Sequence, residues 1–305
     1  MDGGDPMKRK LITLSTMIFV FFFLTSTGIA QAQDFIKGFS LKFTGGYGTM
    51  ATGDYNTVGE DQEQYFDDYK ALLESLDGVQ VSRTGEFKKI NMGLEFEAEL
   101  IMDLGGTFGI GFGVGYIRRS NESETGLSIP GIGSISYSIE PIITVTPVNL
   151  SLYFFPPIAP SMNIYIYGGL GYYMGKVTGT SDGTMDGYWE KSESELKDKG
   201  LGLHVGAGLE FNIAPKIVIF IEGKGRHCKL NSWEGDSTLT DSDGWTGSES
   251  GTMWYYEAQD HDTAKWYSRI VVQEDKPSGY DIRNIREFVA NLSGISLRTG
   301  IRIKF

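Results

Sequence analysis

The sequence holds a single cysteine, Cys228. One thiol excludes a disulfide framework, a cysteine zinc site and a Cys-x-x-Cys redox pair together. Basic residues are not in surplus either: 27 Lys and Arg stand against 39 Asp and Glu, a formal net charge of −12 at pH 7. Phosphate contacts need a basic face, so nucleic acid is excluded as a partner. Proline is scarce, 9 in 305 residues, and from Gln33 onward no apolar run is long enough for a helical membrane span. What the chain has in plenty is glycine, 41 residues, set among aromatics and branched residues rather than in Gly-x-y or Gly/Ser tracts. That distribution fits neither collagen nor disorder and suggests β structure.

Residues 7–32 differ from everything after them. Met7-Lys8-Arg9-Lys10 is a basic start, Leu11 to Leu24 is almost wholly apolar, and Ala30-Gln31-Ala32 is a small-x-small cleavage motif. This predicts a secretory signal peptide cleaved after Ala32. A membrane anchor is the competing reading, but the run is shorter than a span requires. The six residues before Met7 carry no such signal and fit a start at Met7. Removal of residues 1–32 takes away Lys8, Arg9, Lys10, Asp2 and Asp5, which leaves an exported chain of net charge −13.

Segment after segment of the mature chain alternates apolar with small or polar residues at period two. In the last, Ile295, Leu297, Thr299, Ile301, Ile303 and Phe305 fall on one face and Ser296, Arg298, Gly300, Arg302 and Lys304 on the other. Successive strand side chains point to opposite faces, so such a strand needs different solvents on its two sides. Seven further segments repeat the pattern, at about 38–51, 88–102, 107–119, ending at 154, and at about 163–178, 200–213 and 216–230. By these boundaries the connections run about 35, 4, 14, 7, 21, 2 and 60 residues, so every second link is tight.

This combination predicts an all-β fold: an eight-stranded antiparallel up-and-down transmembrane β-barrel, one domain over residues 33–305. In an outer-membrane barrel the tight turns face the periplasm and the long loops, here about 52–86, 121–134, 179–199 and 235–293, face outside. A soluble lipocalin-type barrel would show the reverse, apolar within and polar without.

Thr146 to Phe155, a Pro-rich turn, then Tyr165 to Tyr173 resemble the central hairpin of the small outer-membrane β-barrel family, which includes the opacity-type, OmpW-like and OmpX-like barrels. The terminal Phe305, with Ile303, Ile301 and Thr299 behind it, resembles the C-terminal signal read by the barrel-assembly machinery. The resemblance implies a protein of the bacterial outer membrane. The last long loop departs from the family by its length.

Eight strands leave an interior just wide enough for side chains to fill. Parity sends Glu95, Glu97, Glu99, Glu210 and Glu222 to the same interior as Lys42, Lys89, Lys224, Arg226, Arg298, Arg302 and Lys304. An isolated buried charge costs several kcal/mol, whereas paired charges can break even, so a salt-bridged plug is expected. A proton or ion path and a gated channel are the competing readings. His204 also faces inward and is expected to be a satisfied core residue. His227 falls on the lipid-facing parity near the outer end, where lipid-A-modifying barrels keep a catalytic histidine. A hydrolase would also need a serine and an orienting acid, and the neighbouring outward Leu201, Leu203, Ile295 and Leu297 supply neither. No residue is assigned a catalytic role, and neither cofactor nor metal is expected. Asp241-Ser242-Asp243-Gly244 lacks the further acids of a calcium loop, and Asp260-His261-Asp262 reads as a solvated loop.

All five tryptophans lie in or beside the third and fourth long connections. Trp245 and Trp254 are too far from the strands for an interfacial belt, which leaves either loop packing or contact with an extracellular glycan or protein ligand. Ser248 to Tyr256 and Lys265 to Val272 read as extensions of the sheet above the membrane. Two segments have helical period: Tyr65, Phe66, Tyr69, Leu72, Leu73 and Leu76, stopped by Gly78, and Ile282, Ile285, Phe288, Val289 and Leu292, stopped by Gly294. The functional expectation is a monomeric, non-enzymatic surface protein, surrounded by outer-membrane lipid and lipopolysaccharide, with an integrity role and external binding through its loops. Narrow or gated transport of small or apolar solutes is the alternative, and a lipid-A-modifying enzyme the third.

Overall fold

The structure, a computed structural model, describes residues 36–305 apart from 77, 132 and 157–161. The expected signal peptide with its cleavage site, and most of the Pro-rich turn, lie outside the described residues. In chain order the elements are β1 (Ile36–Thr49), α1 (Asp54–Glu74), β2 (Ser82–Glu86), β3 (Met92–Leu104), β4 (Phe108–Ser120), β5 (Ser123–Ile129), β6 (Gly133–Phe154) and β7 (Met162–Met185). They continue as β8 (Tyr188–Ala214), β9 (Ile217–His227), β10 (Lys229–Leu230), β11 (Glu234–Asp241), β12 (Thr246–Gln259), β13 (Trp266–Gln273), β14 (Ile282–Glu287), β15 (Ala290–Asn291) and β16 (Gly294–Lys304).

Antiparallel pairing passes from β1 to β3, β4, β6, β7, β8, β9 and β16, and β16 pairs β1 again. The ring closes with no free edge. Side-chain parity follows the sequence pattern: on β3, Leu94, Phe96 and Leu100 are exposed while Glu95, Glu97 and Glu99 are buried. The outer wall bears Leu201, Leu203, Val205, Ile295 and Leu297, all more than half exposed, a continuous apolar surface that only lipid solvates. Phe39, Phe108, Phe154, Phe211 and Phe305 encircle the end with the short turns, and Tyr47, Tyr116 and Tyr172 stand toward the other. Two aromatic girdles of this kind mark the two bilayer interfaces.

Beyond the tyrosine girdle the wall keeps rising. β7 and β8 pair out to Met185 and Tyr188, joined by Asp186 and Gly187 at φ 51° and 93°, the two left-handed positions of a tight hairpin turn. The loop expected at 179–199 is therefore a continuous hairpin, and β5 pairs β6 within the loop expected at 121–134. The first was not visible in the periodicity because above the bilayer both faces of its strands carry mainly polar residues; in the second, Leu127, Ile129, Ile135 and Tyr137 do alternate, and that short apolar face packs with Phe66 and Val81. β11, β12 and β13 widen this extension from β8, over the segments read as sheet extensions.

The first helical segment forms the second half of α1, which ends at Glu74, short of Leu76. The second, 282–292, is not a helix: β14 pairs β12, β15 pairs β10, and Phe288, Ala290 and Leu292 are buried in the barrel mouth. Its i, i+3 apolar spacing serves a folded-in strand, with Asn284 at φ 54° interrupting any helix. The sheet extension ends at β13 on one side and β2 on the other, and α1 bridges the two edges. Asp61 accepts from Ser268 N at 2.9 Å, Gln62 from Arg269 at 2.8 Å, and Arg83 pairs with Asp67 and Glu63. Covering exposed strand edges removes a template for self-association.

Candidate functional site

The lumen is built in three tiers. At the end with the short turns, Tyr153, Tyr165 and Tyr167 from β6 and β7 pack with Phe220 and Ile101. The Tyr153 and Tyr167 rings stack at 4.9 Å. These rings fit because β8 presents glycine beside them: a Cβ at Gly206 or Gly208 would lie 2.4 or 2.5 Å from the rings of Tyr167 and Tyr165. Lys42 reaches into the group, its Nζ 4.8–5.4 Å from the centroids of Phe220, Tyr167, Tyr165 and Tyr153, a cation–π cage.

The middle tier is ionic. Glu222 accepts from Lys42 at 2.6 Å, from Tyr165 at 2.6 Å, and from Arg298. Glu97 accepts from Lys224 at 2.8 Å, from Asn149 at 2.7 Å, and from Arg298. Glu95 accepts from Arg119 at 2.5 Å and Arg226 at 2.6 Å, while Tyr153 donates to Glu99. Toward the short-turn end Arg302 pairs with Asp103 at 2.7 Å and Glu210 at 3.1 Å, and donates to Ser40. Six carboxylates thus meet six cations in an otherwise acidic chain. Buried pairs of this kind break even only when the remaining hydrogen-bond sites are also filled, which the tyrosines, Asn149 and Ser40 help to do. A void among Glu95, Glu97, Lys224 and Arg298 measures about 10 Å³, at the lower limit of room for one water.

The outer tier is an apolar cap. Trp233, Leu230, Cys228, Met253, Phe288 and Leu292 pack with Met50, Ile117, Ile143 and Tyr173. The fourth long connection thus folds into the mouth instead of standing clear of it. Arg226 ties cap to ionic tier, donating to Leu292 O at 2.7 Å and Thr49 O at 2.8 Å.

Ten of the twelve residues assigned to the lumen from sequence lie in this network. Lys89 does not: it is exposed and pairs with Glu60 of α1 at 2.5 Å, because its strand begins at Met92 and the preceding residues turn under the helix. The alternation over 88–102 puts Ile90 on the lipid side with Leu94 and Phe96, but it is buried there, its N–H donating to Asn56 at 3.0 Å. Lys304 is half-buried at the end of β16 and joins none of the lumen ion pairs among the described residues. Arg119, Asp103 and the three tyrosines were missed as network members, although all five share the inward parity of their strands. His204 is buried, its Nε2 3.0 Å from Ser151 Oγ. Thr299, Ile301, Ile303 and Phe305 stand on the outer wall, with Thr299 Oγ1 donating to Phe220 O at 2.7 Å.

Outside the lumen, His227 is exposed and does have a serine neighbour: Ser293 Oγ lies 3.0 Å from its Nδ1, contrary to the reading from outward neighbours. The serine reaches it from the turn before β16. No carboxylate lies within ion-pair reach of His227 among the described residues. Asp241 Oδ1 accepts from the N–H groups of Asp243 and Trp245, both at 3.0 Å, so that segment is a hairpin turn. Trp254 is half-buried and donates to Gln273 O at 3.3 Å, a structural tie rather than a presented contact; Trp245 is 56% exposed.

One electrostatic clamp holds α1. Burial raises the Asp68 pKa, but hydrogen bonds from Lys265, Tyr267 and Gln64 outweigh it and hold the carboxyl below its usual range. Lys265 and Tyr267 donate at 2.7 and 2.8 Å. A depressed folded-state pKa stabilises above the unfolded value and is lost as pH falls through the folded one. Acidification from pH 7 to below about 4 is therefore expected to loosen α1 from β13. Hydrogen exchange should show α1 protection falling at low pH, and Asp68→Asn should start near the unprotected level. Equal protection at both pH values in the native chain would refute the clamp.

A closed antiparallel ring with an aromatic-girdled apolar exterior defines a transmembrane β-barrel. The family model for the outer membrane protein beta-barrel domain matches residues 19–246, and the chain belongs to that family. It is an outer-membrane protein. No curated protein matches the sequence. Among solved structures, it is similar to the outer membrane protein OprG from Pseudomonas aeruginosa at 10% identity and a TM-score of 0.37, covering 89% of this chain and 97% of that one. A major outer membrane protein from Thermus thermophilus matches at 12% identity and a TM-score of 0.37, covering 87% and 99%. The outer membrane protease OmpT from Escherichia coli matches at 10% identity and 0.32, covering 88% and 97%.

Proposed function

We propose that this barrel is a non-conducting surface protein: its filled lumen makes it a rigid element of the outer membrane, and its raised sheet is the binding face toward the exterior. The observation carrying this reading is the neutral six-against-six charge network sealed above by the Trp233 cap. Ions crossing the lumen would have to separate pairs whose unpaired members cost several kcal/mol each. The chain works as a monomer in lipid and lipopolysaccharide, without catalysis, and is delivered by the barrel-assembly machinery through Thr299, Ile301, Ile303 and Phe305. In planar bilayers at high salt the purified protein is expected to give no unitary current steps. Reproducible steps of one size would replace this reading with narrow or gated transport. The contact between Ser293 and His227 favours hydrolysis, and release of fatty acid from labelled lipopolysaccharide, lost in Ser293→Ala, would establish it instead.

A further inference from the structure

Above the cap, the inner wall of the sheet extension encloses a cavity of about 600 Å³, open to the exterior. Its floor and one side are apolar, formed by Met253, Ile270 and Val272. The facing wall comes from β7, β8, β11 and β12, whose inward positions are mainly small or hydroxyl-bearing: Ser181, Ser192, Ser194 and Ser237, with Gly179 and Gly247 between them and Leu239 as the apolar exception. Two carboxylates, Glu190 and Glu249, also line it, and neither is engaged in an ion pair among the described residues. No cationic side chain lines the cavity among the described residues.

Trp245 stands at its rim in a fixed pose. The Asp241 turn holds its backbone, with Trp245 N donating to Asp241 Oδ1 and Asp241 N donating to Trp245 O at 3.1 Å. The indole lies against Gly247, where a Cβ would come within 2.3 Å of the ring. The six-membered end of the indole is thus seated over Gly247 while the side chain as a whole remains 56% exposed. A glycine that seats an exposed indole beside a cavity provides a flat apolar platform at little entropic cost.

Resting on the reading of the extension as the binding face, we infer that this cavity is a site for a neutral oligosaccharide, stacked on Trp245. A sugar ring offers one face of C–H groups to an aromatic plane and a rim of hydroxyls to polar partners. Serine hydroxyls both donate and accept, and carboxylates accept, which matches that rim. Unpaired carboxylates without a nearby cation repel anionic glycans and phosphates, so the ligand is uncharged. The volume falls within the range of small-molecule sites and suits two or three sugar units.

The test is an equilibrium titration of the full-length protein in detergent with maltotriose, cellotriose and triacetylchitotriose as neutral probes, 3′-sialyllactose as an anionic probe and spermine as a cationic one. At least one neutral trisaccharide is expected to bind and sialyllactose is not. Trp245→Ala should weaken binding about tenfold or more, the effect of an aromatic anchor, and Gly247→Val, which displaces the ring, should do the same. Retention of the compact band on unheated gels shows that each variant is folded. Failure of all three neutral probes, or binding indifferent to Trp245, would overturn the inference. Spermine binding alone would replace the ligand class but keep the binding face, whereas no binding by any probe would count against both.

Discussion

Glu222→Leu is expected to lower the folding free energy in detergent by about 3–5 kcal/mol, the range for deleting one member of a buried ion pair. Glu222 accepts from Lys42, Tyr165, Tyr167 and Arg298. Without it Arg298 retains Glu97, but Lys42 keeps only the Tyr153 hydroxyl at 3.2 Å, Glu99 at 3.9 Å and its ring of aromatics. A cation left there cannot recover its hydration, so the loss exceeds that of a surface pair. Urea titration followed by the shift of the compact band measures it. Glu222→Gln keeps an acceptor of the same shape and should lose less. Glu97→Leu should resemble Glu222→Leu, and the double variant should lose more than the two together, because each single variant leaves Arg298 one acid and the double leaves it none. A midpoint unmoved by Glu222→Leu would mean that the tier is solvated and the plug does not exist.

Trp233→Ala is expected to cost about 3–5 kcal/mol, as for other large buried aromatics truncated to alanine. The indole is fully buried, donates to Leu230 O at 3.2 Å, and touches the space above Gly175, where a Cβ would sit 2.6 Å from it. The damage should be local. Protease should cut within 228–292 while the eight-stranded wall remains a compact band, since the cap contributes none of the ring's pairings. An unchanged digestion pattern would show that the last connection holds its place without the indole.

The eight-membered wall was legible because lipid and lumen impose opposite demands on alternate residues, as on β3 and β16. The alternation read the solvent rather than the strand. Where both faces of a strand meet polar surroundings, as at 179–199, the signal vanished and a hairpin looked like a loop. At 282–292, where the chain packs into the mouth, Phe288 and Leu292 mimicked one face of a helix. Within the lumen, formal charge drew notice to Glu97 and Arg298, but Tyr165 and Tyr167 read only as polar-face aromatics. Their hydroxyls, donating to Glu222, help to satisfy that acid. Parity also could not say where β3 begins, and so it misplaced Lys89 and Ile90.

The ionic tier also constrains how the chain enters the bilayer. Its members on β1, β3 and β4 carry two acids in excess, and those on β8, β9 and β16 two cations in excess. Most of the pairs join strands that are not sheet neighbours, such as Glu95 of β3 with Arg226 of β9. Neither half can neutralise itself, so hairpins inserted one at a time would drag bare charge into hydrocarbon. Insertion and zipping of the seam where β1 meets β16 therefore have to coincide, and a half-inserted intermediate is the state this sequence selects against.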